Sequence, residues 1–157
     1  MITSPSGITV LVNEALTPTE CLTKGHIGRL SSSGVVSLIL CGFEINDVLV
    51  MISMSNLYSQ PQVTERILGN TIRSMRRQLN RDNSVRLSAH QSAVAFQYAE
   101  MLERASGVFG EQASAEDWLS RPCPYLDGLT PLDLIDNAIG FRVVKDYLDR
   151  VELGIYQ

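Results

Sequence analysis

From Val35 to Leu153 the apolar residues recur mostly at three- and four-residue steps, the spacing of helices that turn one face to a core. Ser31-Ser32-Ser33-Gly34 reads as a loop leading into a helix over Val35–Cys41. Gly42 ends that helix, and Glu44 to Met54 forms a second apolar one. Tyr58-Ser59-Gln60-Pro61 breaks the pattern. Gln62 to Leu79 then reads as two short helices bent at Gly69. Val63, Ile67 and Leu68 face the core from the first, and Ile72, Met75 and Leu79 from the second. Ser88-Ala-His-Gln91 is a capping box opening a long helix to about Ser106, with Val94, Tyr98, Met101, Leu102 and Ala105 as its apolar stripe.

Beyond it, Ser114 with Asp117 reads as a capping-box-like start for a short helix bearing Trp118 and Leu119. Arg121-Pro122-Cys123-Pro124 cannot continue a helix, and Asp127-Gly128 supplies a tight turn. Thr130 as N-cap and Pro131 at the first helical position start another helix, with Asp133 in its first turn, where the helix dipole favours a carboxylate. Asp136 or Asn137 restarts the chain. Ile139, Val143, Val144, Tyr147, Leu148 and Val151 follow as a core-facing stripe, and Gly154 closes the helix. Trp118, Leu132, Leu134 and Leu148 are expected in the core. The first thirty residues are less regular: Ile8, Val10 and Val12 alternate like a short strand, while Asn13 to Leu22 suits a helix equally well. The expected fold is all-α, with at most a small strand near Ile8–Val12.

A chain of 157 residues can form one sizeable core or two small packed units. The expected division is an N-terminal segment over 1–30 that is open to fraying, a helix-turn-helix-like domain over 31–87, and a C-terminal unit over 88–157. The longest apolar stretch, Val35 to Phe43, is far too short to span a bilayer, so no membrane partner is expected. No basic region and apolar signal segment follow Met1, so no secretion is expected. Cys21, Cys41 and Cys123 are odd in number and widely spaced, which fits a reducing cytosol and no disulfide framework. With His26 and His90 the only histidines, no metal site is expected. There is no Walker motif or glycine-rich phosphate loop, and no cofactor is expected. Ser88 and His90 have no adjacent acid, and Asp117, Asp133, Asp136 and Asp149 mostly sit where helix starts want one. An enzyme is therefore not expected.

Charge is segregated along the chain. Residues 1–60 hold two basic and four acidic side chains, a balance of −2. Residues 61–90 hold six arginines against two acids, a balance of +4, and residues 91–157 hold five basic against eleven acidic, a balance of −6. A basic segment inside an acidic chain suggests a local polyanion-binding face beside a separate acidic module. The basic segment coincides with the glycine-bent pair, which has helix-turn-helix logic: the second helix buries one face and offers the other to a major groove. Asn70, Thr71, Arg73, Ser74, Arg76, Arg77 and Arg81 are the candidate DNA contacts, since arginine neutralises phosphates and can grip guanine bidentately. An ordinary packing hairpin with solvent-facing arginines is the competing reading.

The order Val-Phe-Gly, Ala-Glu-Asp-Trp-Leu, Arg-Pro, Leu-Asp-Gly-Leu-Thr-Pro-Leu-Asp-Leu, a lone Gly140, then Leu-Asp-Arg-Val-Glu-Leu-Gly-Ile-Tyr resembles the C-terminal toxin-binding domain of the bacterial Xre/MbcA/ParS antitoxins. The likeness covers roughly the last third of the chain. It implies an antitoxin with an N-terminal helix-turn-helix-like domain, a homodimer held partly by the long helix, and a cognate toxin of the RES type, which consumes NAD. It also implies inhibition by occlusion of the toxin's active site and autorepression at operator DNA. On this chain the resemblance points to Arg150, Glu152, Leu153, Gly154, Ile155 and Tyr156 as toxin contacts. A stand-alone helix-turn-helix transcription regulator with a dimerisation domain is the alternative.

Overall fold

The computed structural model describes residues 15–154, in which nine helices succeed one another. They are α1 (Pro18–Thr23), α2 (Ser32–Cys41), α3 (Ile45–Ser53), α4 (Pro61–Leu68), α5 (Ile72–Arg81), α6 (Ala89–Phe109), α7 (Gln112–Leu119), α8 (Pro131–Leu134) and α9 (Ala138–Glu152). The fold is all-α, as the periodicity predicts; the only extended pairing among the described residues is one antiparallel bridge between Glu44 and Arg86. The alternating Ile8–Val12 segment lies outside the described residues. None of the described helices is long and apolar enough to cross a membrane.

Helix α6 is the spine. Ser88 caps it as a full capping box: its hydroxyl accepts from the Gln91 N–H at 3.1 Å, and its own N–H donates to Gln91 Oε1 at 3.0 Å. The helix runs three residues past the expected end, to Phe109, where Gly110 takes the left-handed conformation that releases the chain. α1, α2, α4, α7 and α9 all pack against it. Its stripe of Val94, Tyr98, Met101, Leu102 and Ala105 is buried, and a single apolar core extends from Cys21 through this stripe to Leu148.

Two local devices shape the N-terminal half. Thr17 and Glu20 form a capping box at the start of α1, which seats Cys21 and Leu22 in the core. The irregular-looking residues after Asn13 thus include a fixed helix packed on α3 and α6. Farther on, Leu87 N–H donates to the Phe43 carbonyl at 2.9 Å and Ile45 N–H to the Val85 carbonyl at 3.0 Å. This clasp closes the base of the segment carrying α3, α4 and α5. Gly42 makes it possible: its φ is +84°, and a Cβ there would collide with the Leu87 carbonyl oxygen.

Three expectations are corrected. α7 starts at Gln112 after Glu111, and Ser114 lies inside it, donating to Glu111 Oε1 at 3.0 Å instead of capping. Trp118 and Leu134 are only partly buried. Ile139 and Val143 face solvent, with Ile139 71% exposed. They lie on α9 on the side away from Val144 and Leu148, which are fully buried, because a stripe broad enough to include all six apolar positions exceeds what one packing face can cover.

Candidate functional site

The corner between α8 and α9 is built on Asn137 and Gly140. Asn137 caps α9 by accepting the Gly140 N–H at 2.8 Å. Gly140 is buried, and a Cβ on it would lie far inside 3.0 Å of the Leu134 carbonyl oxygen, so only glycine lets the two helices approach this closely. Preceding this corner, residues 123–129 form a tight loop. Cys123 N–H donates to the Leu129 carbonyl, and Leu126 and Gly128 N–H groups both donate to the Cys123 carbonyl, each at 3.0 Å. Leu126 goes into the core while Tyr125 and Leu129 project outward.

Between that loop and α9 runs an open groove of about 370 Å³ lined by Tyr125, Leu129, Leu134, Ile139, Val143 and Arg150, among others. Tyr125 is not loose. Its ring stacks on Tyr147 at 5.8 Å, Tyr147 on Trp118 at 5.7 Å, and Trp118 meets Phe109 at 5.2 Å. This row of four rings explains why Trp118 and Tyr147 are only partly buried.

The residues that the resemblance singles out lie at the end of α9. Arg150, Glu152, Leu153 and Gly154 are exposed, Leu153 at 73%. Gly154 has a φ of +72°, outside the helical region. Arg150 Nε donates to the Asp146 carbonyl at 3.3 Å and lines the groove, which joins the helix end to the exposed apolar face. Ile155 and Tyr156 lie outside the described residues.

A second cluster binds this C-terminal region to α4. Arg66 donates through Nη2 to Asp136 Oδ1 at 2.7 Å and to the Leu132 carbonyl at 2.9 Å, and through Nη1 to Asp133 Oδ1 at 3.0 Å. Burial works against the guanidinium charge, but Asp136, Tyr98 and Asp133 outweigh it and hold Arg66 firmly protonated. Tyr98, beneath this cluster, reaches Asp136 with its hydroxyl at 3.4 Å, and burial pushes its phenol pKa well up. Asp133 and Asp136 thus serve as ion-pair partners across the fold.

The glycine-bent pair forms as the spacing predicts. Gly69 has a φ of +65°, Thr71 caps α5 by accepting the Ser74 N–H at 3.2 Å, and Glu65 Oε1 accepts the Ile72 N–H at 3.2 Å. Met75 is buried, while Ile72 and Leu79 cover an apolar cleft against Leu49, Ile52 and Leu68. Arg73, Arg76, Arg77 and Arg81 are exposed, and none makes an ion pair with a described residue. By contrast Arg66, Arg86, Arg104 and Arg121 all hold carboxylates. Asn70, Thr71 and Ser74 sit at the turn and first helical residues, with Thr71 committed to its cap.

Residues 104–154, which take in the end of α6 and all of α7, α8 and α9, match the family described as the antitoxin Xre/MbcA/ParS C-terminal toxin-binding domain. The C-terminal third is thus similar to the toxin-binding domain of the Xre/MbcA/ParS antitoxins. The chain is also 30% identical over 83 residues to Antitoxin Xre of Pseudomonas putida, a match covering 53% of this chain and 51% of that protein. The chain thus spans about half the length of the curated relative it matches. Within residues 104–154 the motif residues have physical roles: Trp118 in the ring stack, Asp127-Gly128 in the loop turn, Thr130-Pro131 at the start of α8 and Gly140 at the α8–α9 corner. Helical spacing does not reveal the exposed apolar face, because it counts Ile139 and Val143 as apolar without saying how wide the packing face is.

Proposed function

We propose that this protein is an antitoxin that binds and neutralises a cognate RES-type, NAD-consuming toxin by occluding its active site. The observation that carries the reading is the coincidence of the Xre/MbcA/ParS toxin-binding match, residues 104–154, with a region whose helix end and apolar side chains are left exposed. Occlusion needs a few anchors of suitable shape and no reactive group. Arg150, Glu152, Leu153, Gly154, Ile155 and Tyr156 are the proposed contacts, because α9 ends at Glu152 and leaves its last residues exposed. The test is growth of cells expressing the toxic product of the neighbouring gene. The full chain restores growth; a chain truncated after Leu153 keeps its helicity by circular dichroism and fails to restore it. Rescue by the truncated chain contradicts the occlusion mechanism.

The same protein acts, in this reading, as a cytoplasmic homodimer that represses its own operon. What supports a DNA role is the row of exposed arginines on α5, which lack carboxylate partners among the described residues. A dimer would present two such helices to a repeated operator site. A stand-alone transcription regulator shares this feature, and is separated from an antitoxin by the absence of any toxin that co-purifies with it.

A further inference from the structure

We propose that the apolar segment Ile8–Val12 of this same chain docks along α2 and covers the outward face of that helix. α2 is the anomaly of the fold. From Leu30 to Phe43 no side chain is charged, and Val35, Val36, Leu38, Ile39 and Leu40 make the helix apolar nearly all round. A helix of that composition belongs in an interior. Here it packs on α6 along one side, none of its residues is buried, and Val36 and Leu40 are 52% and 68% exposed. Ser33, Val36, Ser37, Leu40 and Cys41 are all exposed and stand three and four residues apart, so they form one continuous uncharged stripe. A stripe in which small residues alternate with Val36 and Leu40 is a surface for another apolar element to lie on.

Length, position and charge select this occupant. The described residues begin at Ala15, and Thr19, in the first turn of α1, lines one groove of about 400 Å³ together with Ile27, Ser32, Val35 and Phe96. The chain therefore enters α1 beside α2. Residues 8–12 read Ile-Thr-Val-Leu-Val, and residues 1–13 carry no charged side chain. Five residues extend at most about 17 Å, close to the length of about 15 Å of the ten-residue helix. Ile8 lies nine residues before Thr17, a reach of about 30 Å, enough to follow α2 from end to end. Glu100 and Glu103 stand on the α6 side of the groove, and an uncharged segment meets them without repulsion, whereas a second copy brings its own pair. A second copy also bears the full cost of association over a face only about 15 Å long, well short of the roughly 800 Å² per partner that a stable interface buries. A segment tethered a few residues away is already present at an effective concentration of order millimolar.

The test approaches the contact from both sides in the full chain. One variant carries Ile8→Asp, Val10→Asp and Val12→Asp; the other carries Val36→Asp and Leu40→Asp, both at exposed positions of α2. Amide hydrogen exchange is followed by mass spectrometry, and nicking between residues 8 and 12 by a protease of broad specificity. In the first variant the α2 amides exchange at least about fivefold faster than in the parent while those of α9 keep their rate, the mark of a local and not a global loss. In the second variant nicking between residues 8 and 12 is at least about fivefold faster than in the parent, because the covering surface is spoiled. Exchange of α2 that is the same with and without the three aspartates overturns the proposal. So does nicking that is as fast in the parent as in the α2 variant. Exchange of α2 that slows with rising chain concentration, equally in the parent and in the first variant, assigns the face to a second copy and overturns it too.

Discussion

At Gly140 the first turn of α9 passes so close to the Leu134 carbonyl that an added methyl group has nowhere to go, and the obstacle is backbone, not a side chain that could swing aside. Gly140→Ala therefore forces α8 and α9 apart and loosens the Asn137 cap. The expected cost is about 2 kcal/mol or more, at the upper range of overpacking effects, read as a lower denaturant midpoint with unchanged slope. An unchanged midpoint contradicts the close approach. Single residues are also where sequence reading was most uneven. Ser88, Gly42, Gly69 and Gly154 act at helix ends as their types suggest, because capping and positive φ are local requirements. Asp133 was legible as a first-turn acid, yet its ion pair with Arg66 spans the fold and leaves no mark on local spacing. Thr17-Pro18-Thr19-Glu20 has the residue types of a capping box, but the many polar residues around it hide the signal.

Helices α4 and α5 show how far an element can be read from its pattern. Their bend and the buried Val63, Ile67, Leu68 and Met75 follow the spacing, because amphipathic periodicity and a left-handed glycine specify them locally, while Ile72 and Leu79 are only partly covered. What α5 does is a matter of its outer face. Its four arginines remain available for phosphates, so Arg73→Ala with Arg76→Ala should weaken operator binding and lower the log–log salt slope by about two units, one for each lost contact. The same variant should neutralise toxin like the parent, since α5 lies outside the 104–154 match. Operator binding equal to the parent's, at matched salt, makes α4–α5 a packing hairpin. For α9 the apolar spacing is wider than its packing face: Ile139 and Val143 have the right spacing for the core but lie on the side turned to solvent.

The whole molecule is organised around α6, which packs against both the N-terminal helices and α7 and α9. Two polar ties reinforce this across the middle: Arg66 of α4 to Asp133 and Asp136, and Gln112 and Glu116 of α7 to the Met54 carbonyl and Leu57 N–H. The basic face of α5 and the acidic C-terminal region are therefore carried on one continuous core, an arrangement suited to a protein with two partners of opposite charge. The proposed neutralisation of an NAD-consuming toxin is read out by NAD turnover of the purified toxic product of the neighbouring gene, titrated with the full chain. Turnover is expected to fall to background at a fixed molar ratio, while the variant truncated after Leu153 leaves it running. Turnover that persists at saturating amounts of the full chain would contradict it.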